Sequence, residues 1–216
     1  MTHPPDADRA GRRAQCPRCL RPVSTCLCGW IRPTVNEVEV LILQHPQEVH
    51  QAKGSARLLM LSLARCETMV GEQLDAGALA SALSRPLANG TVAHPVLLYP
   101  GAAASSSHAP PSAFDASAAQ ISGLRLVVID ATWRKSLKML HLHPALQALP
   151  RLALPADLPS RYAIRKAPKA GQLSTLEATC LALGKLEQQP ARYAPLLEAF
   201  EGFVQAQQQW VGRARA

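Results

Sequence analysis

The sequence predicts an α/β fold, a mainly parallel sheet with helices on both faces, preceded by a small cysteine-bearing knuckle. Three observations predict it. Residues 37–44 (EVEVLILQ), 95–99 (PVLLY) and 124–129 (LRLVVI) are short, nearly continuous apolar runs, the pattern of strands buried on both faces. Segments with helical spacing separate and follow them, and strand–helix alternation favours a parallel sheet. The 216 residues, 48% hydrophobic, suffice for one real core plus a small appendage.

Taken in order, residues 1–15 are polar and Arg-containing and read as a disordered tail. Residues 16–35 hold four cysteines and form the knuckle, and residues 36–216 form the main domain. His45-Pro46 ends the first strand. Residues 53–65 carry Leu58, Leu59, Leu61 and Leu63 at helical spacing, entered through Gly54-Ser55. A short strand over 68–70 and a helix over 75–83 follow. Pro100-Gly101 breaks the second long strand, and residues 102–120, rich in Ala, Ser and Pro, read as a long flexible loop. After the third strand comes a helix over 132–140, a helical turn between prolines within 141–150, and a short strand over 151–154. Residues 160–173 are basic and irregular. Helices over 174–188 and 193–210 complete the chain, which contains no internal repeat.

Net charge is +8, and its location matters more than its size. Residues 1–35 hold six Lys/Arg against two Asp/Glu, and residues 130–170 hold eight against two. The rest of the chain is near balance, so two segments carry the whole excess. Localised positive charge of this kind is the footprint of a polyanion partner. No apolar run approaches membrane-spanning length, and no apolar core of a signal peptide appears near the start. A soluble, cytoplasmic protein is expected, without an evident obligate protein partner.

That compartment makes a disulfide framework improbable for the six cysteines. Cys16, Cys19, Cys26 and Cys28 lie within thirteen residues, as Cys-x2-Cys-x6-Cys-x-Cys. Four thiols at this range suit a closed tetrahedral zinc site, structural rather than catalytic, with an iron–sulfur cluster as the alternative. Cys66 and Cys180 sit in apolar, helix-like contexts and read as small buried hydrophobes.

The segment Val127-Val128-Ile129-Asp130-Ala131-Thr132-Trp133-Arg134-Lys135 runs from an apolar strand into an acid, a hydroxyl, an indole and two cations where a helix begins. Ligands of open α/β sheets gather at the carboxyl ends of strands, beside helix N-termini. Asp130 is therefore a candidate base or orienting group, and equally a candidate helix cap. Ser174-Thr175-Leu176-Glu177 is a capping-box pattern whose preceding amides are placed to line a pocket. Arg161-Tyr162-x-x-Arg165-Lys166 lies just upstream, with guanidinium groups suited to phosphates or a carboxylate.

In this order, the four-cysteine knuckle, Gln44-His45-Pro46-x-Glu48 with Gly54-Ser55-Ala56-Arg57-Leu58, Leu98-Tyr99-Pro100-Gly101, Asp130-Ala131-Thr132-Trp133, Ser160-Arg161-Tyr162-x-x-Arg165-Lys166 and Leu173-Ser174-Thr175-Leu176-Glu177-Ala178 resemble the DTW-domain tRNA-uridine aminocarboxypropyltransferases. The resemblance spans residues 16–186. Ser55 and Ala131 stand where that family often has Thr and Gly.

The resemblance implies a fold related to the knotted SPOUT methyltransferases. It also implies transfer of the 3-amino-3-carboxypropyl group from S-adenosylmethionine to N3 of a uridine in tRNA, releasing methylthioadenosine. Asp130, Thr132 and Trp133 are then the catalytic candidates. Arg161 or Arg165 anchors the donor carboxylate, and Tyr99, Pro100, Gly101, Leu173, Ser174 and Thr175 hold adenosine. His45, Glu48, Lys53, Arg57, Arg134, Lys135, Lys138, Lys166 and Lys169, with the knuckle, face tRNA. The alternatives are a SPOUT-like RNA methyltransferase on the same donor and a non-catalytic, zinc-containing RNA-binding module.

Overall fold

The computed structural model describes residues 14–49, 51, 54–100, 113–115, 121–155 and 173–213. Its centre is a five-stranded, wholly parallel sheet of β1 (Glu39–Gln44), β2 (Cys66–Val70), β3 (His94–Leu98), β4 (Leu124–Asp130) and β5 (Arg151–Leu152), in the order β2-β1-β4-β3-β5. The helices are α1 (Ser55–Ser62), α2 (Ala76–Ser84), α3 (Trp133–Leu142), α4 (Pro144–Gln147), α5 (Thr175–Leu186) and α6 (Pro190–Arg213).

Both faces of the sheet are covered, as the continuous apolar runs require. Val40 and Ile42 of β1 and Leu126 and Val128 of β4 point into the larger core, against Leu58 and Leu59 of α1, Leu176 and Leu183 of α5, and Phe200 and Phe203 of α6. Leu41, Leu43 and Val127 alternate to the other face, onto Leu79 and Leu83 of α2 and Met139 and Leu140 of α3. One-residue alternation thus fixes which face of each strand meets which helix layer.

Buried charge ties these layers together. Arg125, 1% exposed, lies within β4 and donates to the carbonyls of Ala82, Leu83 and Arg85 at the end of α2. It also pairs with Glu39 at 2.9 Å. Glu187, just past α5, accepts from the backbone N–H groups of Glu37 and Val38 and from the Tyr193 hydroxyl, and pairs with Arg192. One carboxylate therefore fastens the chain entering β1 to the α5–α6 corner. His143 bridges Leu74 N–H to the Met139 carbonyl. The amide can only donate, so Nε2 accepts and Nδ1–H donates.

The knuckle is built into the main core. Cys19 and Leu27 are buried with Leu58 and Phe203. Trp30 lies so close to α6 that a Cβ on Gly202 would come within 2.5 Å of its ring. Ala14 and Gln15, expected in the tail, are ordered against Val23 and Pro22; residues 1–13 lie outside the described set.

Most elements fall within a few residues of expectation, and the shifts have local causes. The helix expected over 53–65 closes at Ser62 because Leu63 turns extended and bridges Thr34. β2 starts at Cys66, so this cysteine opens a strand rather than lying in a helix, and burial pushes its thiol up to about 12. Cys180 is buried in α5, as expected. Asp75 caps α2, and α6 is longer at both ends than the expected 193–210. Most of the expected loop over 102–120 lies outside the described residues. No helix among the described residues is long and apolar enough to cross a membrane.

Replacing Glu187 with Ala strands the buried Val38 N–H, the part-buried Glu37 N–H and the buried Tyr193 hydroxyl. It is expected to lower unfolding stability by roughly 3 kcal/mol, read as a shifted urea midpoint at unchanged slope.

Candidate active site and metal centre

The strand order reverses direction between β1 and β4. From β1 the chain moves outward to β2, and from β4 it moves the other way to β5. Such a switch point opens a crevice at the carboxyl ends of the two strands. Gln44 and Asp130 are the last residues of β1 and β4 and are register partners. Gln44 Nε2 donates to Asp130 Oδ2 at 2.8 Å, and Thr175 Oγ1, from the first turn of α5, donates to Oδ1 at 2.6 Å. The Asp130 carbonyl accepts the His45 N–H.

Asp130 is only 7% exposed, and burial raises its carboxyl above the ordinary carboxylate range. The Thr175 and Gln44 hydrogen bonds oppose that rise, and the charge of Glu48 adds to it. Asp130 does not cap the following helix; Thr132 occupies the N-cap position of α3, without a side-chain cap bond. Asp130 is thus a buried carboxylate held at both oxygens by neutral donors, a group suited to accepting a proton or orienting an N–H.

Beside it stand two aromatic rings. Trp133 is 58% exposed yet stacks on the buried Tyr99, with centroids 5.4 Å apart and planes 17° apart. The Tyr99 hydroxyl meets Ser136 Oγ at 3.4 Å, and Ser136 Oγ donates to the Trp133 carbonyl. Pro100 follows on the surface. The capping box expected at α5 is present. Ser174 Oγ accepts the Glu177 N–H, and the Ser174 N–H donates to the Glu177 carboxylate. The Ser174 amide is therefore occupied, and the Thr175 hydroxyl serves Asp130. Leu173 lies half-buried just before them.

Two lysines around the mouth are already paired. Lys135 meets Glu48 at 2.8 Å and Lys138 meets Glu72 at 2.9 Å. His45 is buried; Gln47 N–H donates to its Nδ1, so Nε2 carries the hydrogen and donates to Glu72 Oε1 at 3.2 Å. Arg134 is exposed on α3. Arg57 instead faces the knuckle, donating to the Arg18 carbonyl at 2.7 Å. Gly101, Lys53, Arg161, Arg165, Lys166 and Lys169 lie outside the described residues. Sequence reading missed Gln44 as the partner of Asp130, and Glu72. Gln44 was legible as a strand end and as part of the Gln44-His45-Pro46 motif, but not as the partner of Asp130, 86 residues away.

The four knuckle cysteines form a cluster able to hold a metal ion. Their sulfurs all lie within 4.8 Å of one another, with Cys16–Cys28 and Cys19–Cys26 at 3.6 Å. Four sulfurs about 2.3 Å from a tetrahedral centre stand roughly 3.8 Å apart, so the set fits such a centre. Backbone N–H groups of Cys19 and Arg18 pull the Cys16 thiol down to about 6, whereas burial and the neighbouring sulfurs push Cys28 up to about 12. Crowded thiols cannot all ionise without a cation among them.

A family model described as the DTW domain matches residues 13–208. A Drosophila melanogaster protein named tRNA-uridine aminocarboxypropyltransferase 2 is 34% identical over 188 residues, 85% of this chain and 71% of that protein. Proteins of the same name from Mus musculus and Macaca fascicularis are 27% identical over 213 residues and 28% identical over 189. They cover 94% and 82% of this chain, which spans 66% and 58% of their lengths. No solved structure matches the chain.

The raised Asp130 carboxyl binds its proton more readily folded than unfolded. Its contribution to stability is present in full below the unfolded value of about 3.9 and is lost as pH rises through the higher native value. Near neutral pH the buried charge is thus a net cost. Asp130→Asn is expected to melt at a higher temperature than the parent at neutral pH, the gap narrowing on acidification. A gap that widens in acid contradicts the reading.

Proposed function

Because this chain belongs to the DTW domain family, we propose that it is a tRNA-uridine aminocarboxypropyltransferase, with S-adenosylmethionine as donor and N3 of a tRNA uridine as acceptor. The observation that carries the reading is the buried Asp130 carboxylate at the β1/β4 switch point, held by Gln44 and Thr175 beside the exposed indole of Trp133. In a family that alkylates uridine, this is where an acidic ring N–H needs a fixed acceptor.

The bound donor supplies a sulfonium whose methionine-arm carbon is open to displacement. N3 forms the new bond to that carbon as the carbon–sulfur bond breaks, the bond pair passing to sulfur to leave a neutral thioether. The N3 proton goes to Asp130, whose raised affinity for protons makes it a better base than an ordinary aspartate. Gln44 and Thr175 keep the carboxylate aimed, so the base is placed at near-attack geometry without reorganising. Trp133 offers a rigid face on which a base turned out of its stack can lie.

The stacked Tyr99 and the turn before α5 line the donor side, with Arg161 and Arg165 as carboxylate anchors. For tRNA, Arg134, Lys135, Lys138, Lys53, Lys166 and Lys169 serve as phosphate contacts, with Lys135 and Lys138 exchanging Glu48 and Glu72 for phosphate. His45 and Glu48 hold that rim in shape. The parallel sheet, with β4 inserted between β1 and β3, supports a SPOUT-like reading. Zinc is the metal best matched to four thiolates at these distances, and its role is structural.

Asp130→Ala is expected to cut uridine modification by roughly a hundredfold to ten-thousandfold while tRNA binding persists, read by nucleoside mass spectrometry. The by-product of the parent enzyme should be methylthioadenosine; S-adenosylhomocysteine would make it a methyltransferase. Elemental analysis of the purified chain is expected to find about one zinc, and a metal-free yet fully folded sample overturns the zinc assignment.

A further inference from the structure

Arg151 lies in β5 beside Tyr99, and among the described residues its side chain makes no hydrogen bond. It pairs with Leu97 of β3, which is level with Val127 of β4, three residues short of Asp130, and on its other side it bridges Ala113, so only the length of its side chain carries the guanidinium towards the carboxyl edge. Its guanidinium lies over the Tyr99 ring, 5.4 Å from the centroid. Its Nε is buried without a hydrogen-bond partner, and the side chain makes no ion pair among the described residues. The contrast with Arg125 is instructive: that buried guanidinium spends its donors on three carbonyls and Glu39. A partly buried cation with an orphaned N–H carries a standing desolvation cost that a bound anion removes. Guanidinium is also the side chain best matched to a planar oxyanion.

We propose that Arg151 is an oxyanion-binding residue of the active site, presented beside the Tyr99–Trp133 stack. This rests on the functional reading above, and two oxyanions of that reaction share the required chemistry. One is the carboxylate of the donor's methionine arm, and the other is a phosphate next to the target uridine. The Tyr99 ring, against which the guanidinium is laid, holds the fork in place, so less entropy is lost when the anion binds.

Full-length Arg151→Gln and Arg151→Lys are compared with the parent by calorimetric titration with S-adenosylmethionine and, separately, with methylthioadenosine, which keeps the nucleoside and lacks the carboxylate. If the donor carboxylate is the ligand, Arg151→Gln weakens S-adenosylmethionine about tenfold to a hundredfold and leaves methylthioadenosine unchanged. Arg151→Lys then recovers part of the loss. If a tRNA phosphate is the ligand, both small molecules bind normally. In that case tRNA affinity falls and the slope of log affinity against log salt drops by about one. Equal weakening of both small molecules means that Arg151 only props the Tyr99 ring, and overturns the proposal, as does a variant with no binding defect. A parent chain that ignores S-adenosylmethionine sinks the donor reading separately and leaves the tRNA titration to decide Arg151. Thermal melts guard against misfolding, and little change is expected because the side chain makes no hydrogen bond among the described residues.

Discussion

Keeping one carboxylate buried at the end of a parallel sheet is the constraint on which the rest of the site depends. Asp130 is held by a donor from the neighbouring strand and a donor from a helix 45 residues later. The first exists only in one register. A one-residue slip of β1 against β4 would turn the Gln44 side chain to the opposite face and take the amide away from Oδ2. What prevents the slip is apolar: Val40 and Ile42 belong to one core, Leu41 and Leu43 to the other. The second donor exists only where α5 starts. The Ser174–Glu177 capping box fixes that start, and so places the Thr175 hydroxyl. Packing and capping together set the aim of the Asp130 carboxylate.

The electrostatics of the mouth follow from the same economy of partners. Glu48 holds Lys135 and also raises the proton affinity of Asp130. Glu72 is shared between Lys138 and His45, and the His45 ring is in turn oriented by a backbone amide. The excess positive charge of residues 130–170 is therefore partly neutralised at the rim by acids from the loops after β1 and β2. An approaching phosphate competes with Glu48 and Glu72 rather than meeting bare ammonium groups. Such competition favours a polyanion, which replaces several carboxylates at once, over a single small anion.

Local patterns made much of this legible in advance. The apolar runs named three strands, the Ser-x-x-Glu spacing named the start of α5, and four clustered cysteines named a metal centre whose sulfurs do converge. Asp130 at a strand end was visible as a candidate. What stayed hidden depends on contacts distant in sequence: the Gln44 and Thr175 bonds to Asp130, the Tyr99–Trp133 stack and the Arg151 guanidinium over it. Arg125 and Glu187 were equally silent, because a charged residue in a strand or after a helix ordinarily reads as exposed, and only the fold supplies the carbonyls and amides that let it be buried. The basic segment over 160–173, prominent in the sequence, lies almost wholly outside the described residues.

The four-cysteine knuckle and the Asp130 crevice meet in one short stretch between β1 and α1. At its start, His45 and Glu48 face the mouth, through Glu72 and Lys135. At its end, the Gln51 carbonyl accepts from Arg21 of the knuckle, and Gly54, at φ +42°, lets the chain turn into α1 where a side chain would press on the Arg21 guanidinium at 2.9 Å. Arg21 lies over Phe203 of α6, and Arg57 reaches back to the Arg18 carbonyl. The knuckle is therefore bound to the core on one side and to this stretch on the other. A metal held by the four cysteines would also fix Arg18 and Arg21, and through them the Gln51 carbonyl and the Arg57 side chain.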